Sequence, residues 1–323
     1  MSLKDLRDEI ADEVGTILAS DFTVEVTATK TVPHSNDPAI TFPNLDGKTQ
    51  KTKLIDTCVL YIDIRRSTEL NLTHKPKTVS KLYSAFVRAM TRCARHHHGH
   101  VRGIIGDRVM VIFDQAHAFA NAVECAISMN TISQHVINRY FKNGEVECGI
   151  GIDSGKMLAT KTGVRRRGAE NHSYRNLVWL GRPANVASKL TDLANKPPEN
   201  LPYKTVSAGY IRNALAISTP ANMNWQEYDL VTFLGQFSVE PFSNKMVHFN
   251  PNFRTCFLND RTLTMRPKTE PILMTKAVWD GYCVAKPDAN IVKEGMFQPI
   301  TLQVPGYNGP VFSGNVIYPA LKA

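Results

Sequence analysis

Gly106-Asp107 constrains this chain more than any other pair, because it separates two apolar runs, Val101–Ile105 and Arg108–Phe113. A two-residue Gly-Asp connection between strand-like runs predicts a tight β-hairpin with Asp107 at its tip. A further apolar run, Cys58–Ile62, reads as a buried strand with Asp63 emerging at its end. If strand and hairpin are neighbours in one sheet, the two carboxylates converge. Two converging carboxylates are what a pair of divalent cations needs to handle a triphosphate. Each also has a plainer reading, Gly-Asp as a turn and Asp63 as a helix N-cap.

The bulk properties narrow the class without choosing the chemistry. The 323 residues carry 43% hydrophobic and 21% charged side chains, an ordinary globular balance. No apolar run approaches the ~20 residues of a membrane span, and the N-terminus does not open like a signal peptide, so a cytoplasmic protein without a membrane partner is expected. A net charge of +9 suits an anionic ligand. The densest basic spot, Arg165-Arg166-Arg167, lacks the interleaved aromatics of a nucleic-acid surface and reads as a solvated loop, so no direct nucleic-acid partner is expected. Six scattered cysteines include no Cys-x-x-Cys pair, which argues against zinc or redox motifs. His96, His97, His98 and His100 stand where a helix stops at Gly99, a position that suits histidine without a metal.

Three regions are expected: an N-terminal extension (1–50), a catalytic domain (51–250) and a small β-rich C-terminal appendage (251–323). The extension holds a helix, Leu3–Ser20, and a proline-containing polar stretch. The central region alternates a strand (Thr57–Ile64), a helix from about Lys77 to His98, the hairpin, and a helix over about Ala116–Tyr140. Strands Val146–Ile152, Lys156–Thr160 and Asn176–Leu180 follow, then a helix over Pro183–Ala194 that ends at Lys196-Pro197-Pro198. Val206–Ala216 reads as a short strand and helix, Leu230–Phe249 as a closing strand pair, and Ile300–Val304 and Val316–Tyr318 as β-like runs. On the 77–98 helix, Val79, Leu82, Phe86, Met90 and Cys93 form one apolar face. The pattern is α+β, with helices on one face of a sheet.

A third phrase, Trp179-Leu180-Gly181-Arg182-Pro183-Ala184-Asn185-Val186-Ala187-Ser188-Lys189-Leu190, completes a set with the two aspartate phrases. The three, in this order, resemble the class III nucleotidyl cyclases over roughly residues 54–250. These enzymes close a nucleoside triphosphate into a 3′,5′-cyclic monophosphate and release pyrophosphate. The resemblance implies a ferredoxin-like sheet and two Mg²⁺ or Mn²⁺ ions per site, held by Asp63, Asp107 and the carbonyl of Ile64. The amides of Arg65–Thr68 would meet phosphate oxygens. It implies that Asn185 orients the ribose and that Lys189 meets the α-phosphate. That basic residue is normally arginine, and lysine keeps the charge without the bidentate fork. These helix residues act on the opposite subunit's metals in the family, which implies a homodimer.

Purine-specific members carry a lysine four residues before the second aspartate and a polar reader seven before the asparagine. Gly103 and Val178 stand there in this chain. Arg102, Arg175 and Trp179 are nearby, and an arginine four before a tryptophan resembles the Pycsar pyrimidine cyclases of bacterial anti-phage defence. Their cyclic nucleotide activates a separate effector. A donor-only arginine favours the O4 acceptor of uracil over the N4 donor of cytosine, so UTP is the expected substrate. A cytidylate or purine cyclase, and a cyclase-like domain that binds nucleotide without turnover, stay as alternatives.

Overall fold

The computed structural model describes residues 2–141, 146–163, 177–212 and 222–322. In chain order the elements are α1 (Leu3–Leu18), β1 (Thr23–Thr29), β2 (Thr49–Ile64), α2 (Ser67–Thr73), α3 (Pro76–His96), β3 (Gly99–Ile105), β4 (Arg108–Phe113) and α4 (Ala118–Thr131). A π-helical turn, Ile132–Ile137, prolongs α4 into the short α5 (Asn138–Tyr140). Then come β5 (Cys148–Thr160), β6 (Val178–Leu180), α6 (Arg182–Leu193), β7 (Glu199–Ile211), β8 (Met223–Asp229), α7 (Leu230–Leu234), β9 (Phe237–Val239), β10 (Met246–His248) and β11 (Phe253–Arg266). The chain ends with β12 (Ile272–Thr275), α8 (Lys276–Ala285), α9 (Asn290–Lys293), β13 (Gln298–Ile300) and β14 (Val311–Gly314).

Two compact units result, one of Met1–Lys196 with Lys268–Ala323 and one of Pro197–Pro267. These breaks fall at prolines rather than at 50 and 250. The main sheet runs β13-β14-β12-β5-β2-β4-β3. Its axis is β2, whose first half pairs in parallel with β1 and whose second half pairs with β4, while β5 runs along the other edge. Of the segment expected as a C-terminal appendage (251–323), the part from Lys268 onward instead completes this sheet, while β11 belongs to the second unit. Ile272–Met274 pair in parallel with Ile150–Ile152, and the Thr275 hydroxyl donates to Asp153 Oδ1 at 2.8 Å. Such a contact joins residues more than 100 positions apart, beyond the reach of local pattern. The runs expected at Ile300–Val304 and Val316–Tyr318 are not strands beyond Ile300; the strands there are β13 and β14, and α8 was not anticipated.

Alternation along β2 sets the layers. Cys58, Leu60 and Ile62 face the large core with Phe86 and Met90 of α3, Ile127 of α4 and Val278 of α8. Val59 and Ile55 face the other side with Ala184 and Ala187 of α6. Helices therefore cover both faces, with α6 opposite α3, α4 and α8. Each fully buried side chain of this size contributes about 1.5–3 kcal/mol. By parity Asp63 falls on the α6 side. The extension is not a loose appendage after position 30: Val32, Ile40, Phe42 and Leu45 are buried, whereas α1 buries nothing.

The second unit is a three-stranded antiparallel sheet, β11-β7-β8, over a small cluster of Val206, Ala208, Tyr210 and Phe233. Its expected closing strand pair begins with a helix, α7, capped by Asp229 Oδ1 accepting the Thr232 N–H at 2.9 Å. No described helix is long and apolar enough to cross a membrane.

Candidate active site

The hairpin forms as its sequence dictates. Ile105 and Arg108 are the last pair between β3 and β4, and Gly106 takes φ +63 so that the chain reverses in two residues. Ile62 pairs with Val109, which brings the tip beside the end of β2. Asp107 is 9% exposed, and its Oδ2 accepts the Ile64 N–H at 3.2 Å. Burial first, and the adjacent Asp63 carboxylate second, push the Asp107 carboxyl up to about 6. The expected convergence of Asp63, Ile64 and Asp107 is thus present in the fold.

The sequence did not reveal what else holds this corner. Arg108 donates to Asp63 Oδ2 from Nε at 3.2 Å and Nη2 at 2.7 Å. The same guanidinium reaches Ser188 Oγ at 3.0 Å and pairs with Asp192, both on α6. Arg65 donates to the Asp192 carbonyl at 3.1 Å and lies 3.8 Å from Asp63. Two guanidiniums therefore bridge the metal-type carboxylate to α6. The arginine next to the hairpin aspartate was the available signal, but its partners lie 45 and 84 residues away.

Asn185 and Lys189 occupy successive turns of α6. Asn185 is exposed, and Lys189 Nζ donates to the Pro305 carbonyl at 3.1 Å. That bond directs the lysine to the C-terminal segment rather than to Asp63 and Asp107 of the same chain. Arg102 is half-buried and spends donors on two carbonyls, Pro33 at 3.1 Å and Val101 at 3.2 Å. Trp179 packs against two small apolar clusters, one with Met157 and Ala184 and one with Ile40, Ala159 and Leu177, its buried Nε1 without a hydrogen-bond partner among the described residues. Arg175 and Arg165–Arg167 lie outside the described residues. The histidine tract does not converge: His97 Nε2 bonds Ser128 at 2.8 Å and His100 pairs with Asp114 at 3.2 Å. The six cysteines are all unpaired thiols.

Asp63 and Asp107 thus meet at one corner of the sheet, and the adjoining helix α6 carries Asn185 and Lys189 one turn apart. Residues 49–210, half of the chain, match the adenylate and guanylate cyclase catalytic domain, and the chain belongs to that family. It is 28% identical over 197 residues to a uridylate cyclase of Burkholderia cepacia, covering 59% of this chain and 80% of that one. It is 29% identical over 215 residues to a uridylate cyclase of Xanthomonas perforans, covering 65% and 85%. Among solved structures, the adenylyl cyclase CyaB from P. aeruginosa aligns with a TM-score of 0.46 and 14% identity, over 81% of this chain and 95% of that one.

Class III cyclases work with divalent cations, and the donors here fit such ions. Asp107, its carboxyl raised by burial first and by Asp63 second, and Asp63, paired with Arg108, bring hard oxygen donors to one point. Two carboxylates with a backbone carbonyl suit Mg²⁺ or Mn²⁺, which keep waters and substrate phosphates as further ligands. A protonated Asp107 cannot ligate a cation. Its carboxyl is raised, so it is ionised above pH 6 and increasingly protonated below. Mn²⁺ titrations by calorimetry should therefore show weaker binding at pH 5 than at pH 7. Equal affinity at both would count against Asp107 as a ligand.

Proposed function

We propose that this protein is a uridylate cyclase that converts UTP to 3′,5′-cyclic UMP and pyrophosphate. The observation that carries the reaction type is the meeting of Asp63 and Asp107 at the corner of β2 and the β3–β4 hairpin. The ribose 3′-oxygen attacks the α-phosphorus, the bond to the β-phosphate oxygen breaks, and the 3′ proton leaves to solvent. Asp63, Asp107 and the Ile64 carbonyl would hold two Mg²⁺ or Mn²⁺ ions, which supply charge neutralisation and a more acidic 3′-hydroxyl. The amides at the start of α2 face the phosphates. Asn185 orients the ribose, and Lys189 meets the α-phosphate as a point charge once it leaves the Pro305 carbonyl.

Asn185 and Lys189 complete the site of a second copy, so the active form is a homodimer with two equivalent sites. The uracil preference draws on two observations: Gly103 and Val178 offer no side-chain reader for a purine, and the relatives just described are uridylate cyclases. Arg102, Arg175 and Trp179 surround the base in this reading. Cyclic UMP made in the cytoplasm then serves as a signal in anti-phage defence through a separate effector.

Purified protein with Mn²⁺ and each of the four ribonucleoside triphosphates should yield cyclic UMP as the main product by chromatography and mass spectrometry. Predominant cyclic AMP or cyclic GMP would overturn the pyrimidine assignment, and predominant cyclic CMP the choice of uracil. The second reading, nucleotide binding without turnover, draws on the Lys189–Pro305 bond. It prevails if no triphosphate is cyclised above the level of an Asp107→Ala variant.

A further inference from the structure

The N-terminal segment closes a small cavity at the place where a purine reader is missing. The cavity, about 320 Å³, is lined by Arg102 and Gly103 of β3, Leu177 before β6, and His34 and Ser35. Its volume sits at the lower end of the ~300–1,000 Å³ typical of ligand pockets, a fit for a single-ring base on its ribose. Gly103 leaves one wall low, since a Cβ there would find nothing nearer than Met110 at 3.5 Å. The opposite wall is a strap with several anchors. Val32 is buried, its N–H donates to Asp114 Oδ1 at 2.6 Å, and Arg102 Nε donates to the Pro33 carbonyl at 3.1 Å. Arg102, which stands beside the base in the proposed function, thereby also holds the strap.

His34 is set by its own turn. The Asn36 N–H donates to His34 Nδ1 at 3.2 Å, and the Asp37 N–H to the His34 carbonyl at 3.0 Å. A ring nitrogen that accepts carries no proton, so the neutral imidazole keeps its hydrogen on Nε2 and presents a donor there. We propose that His34 is a specificity-determining residue whose Nε2–H donates to the O4 carbonyl of uracil. Cytosine presents an amino donor at that position, and donor would meet donor. The assignment rests on the pyrimidine cyclase reading and places its selectivity in the segment before the catalytic domain.

The test is the kinetics of wild type, His34→Ala and His34→Gln with UTP and CTP in the presence of Mn²⁺. Loss of one base hydrogen bond should raise KM for UTP about 10-fold and shrink the UTP/CTP ratio of kcat/KM by the same factor, with kcat changed by no more than about two-fold. His34→Gln, which keeps an N–H donor, should recover part of the ratio. An unchanged ratio in His34→Ala, from a wild type that makes cyclic UMP, overturns the role of His34 alone. A wild type that prefers purines overturns the pyrimidine reading and this assignment together. His34 is exposed, so the melting temperatures of the variants should match wild type.

Discussion

Asp107→Asn is expected to lower cyclic nucleotide formation by roughly 10³-fold while leaving the protein as stable as wild type or more so. Activity falls because a neutral amide removes a hard anionic ligand, and charge stabilisation by metals amounts to about 4 kcal/mol or more of barrier. Stability behaves oppositely. The asparagine carbonyl still accepts the Ile64 N–H that now reaches Asp107 Oδ2, and the repulsion from Asp63 disappears. The sign follows from linkage. Asp107 binds its proton up to about pH 6 when folded and only to about 3.8 when unfolded, so its contribution to stability is lost as pH rises from 4 to 6. Cation-free melting temperatures of the two proteins should therefore coincide near pH 4 and separate at pH 7, the variant higher. A variant that melts lower at pH 7, or that keeps its activity, contradicts the arrangement.

The parts of this site legible from residues alone are those built by neighbours in sequence. The β3–β4 hairpin is a two-residue turn with a glycine where positive φ is required, and the end of β2 is a run of five apolar residues before Asp63. α3 reads correctly because Val79, Leu82, Phe86 and Met90 repeat at helical spacing and are all buried. The start of β2 escaped notice because its first buried positions, Gln50 and Thr52, are polar. Gln50 is 9% exposed, yet its Nε2 donates to Thr160 Oγ1 and the Lys161 carbonyl, so a hydrogen-bonded interior looks like a surface strand.

The C-terminal strands were read as an appendage because nothing local announces a parallel partner. β12 carries only four residues, and its register with β5 is a property of the assembled sheet. Arg108 escaped for the same reason: an arginine after a turn looks solvated until Asp63, Ser188 and Asp192 are brought around it. The corner where the metals are expected is thus half local pattern and half long-range charge pairing.

The long-range half depends on how closely α6 lies on β5, and the second large effect follows from that. Gly149 and Gly151 sit beneath the helix. A Cβ built at Gly151 would lie 2.2 Å from the Ala187 carbonyl oxygen and 2.4 Å from the Thr191 nitrogen, both backbone atoms of α6. Backbone cannot rotate aside as a side chain can, so Gly151→Ala must push the helix off the strand. Overpacking of this kind costs about 3 kcal/mol, or roughly 10 °C in melting temperature for a unit of this size. The displacement also moves Ser188 and Asp192 away from Arg108, and Asn185 and Lys189 away from any substrate they serve. A shift of about 1 Å in positioning groups can lower turnover 10²-fold. Gly103→Ala provides the contrast, because its Cβ would meet only Met110 at 3.5 Å, an ordinary contact, and should leave the melting temperature unchanged. A Gly151→Ala protein with wild-type melting and turnover would mean that α6 does not rest on β5, and that the guanidinium bridge between Asp63 and the helix is not what orders the site.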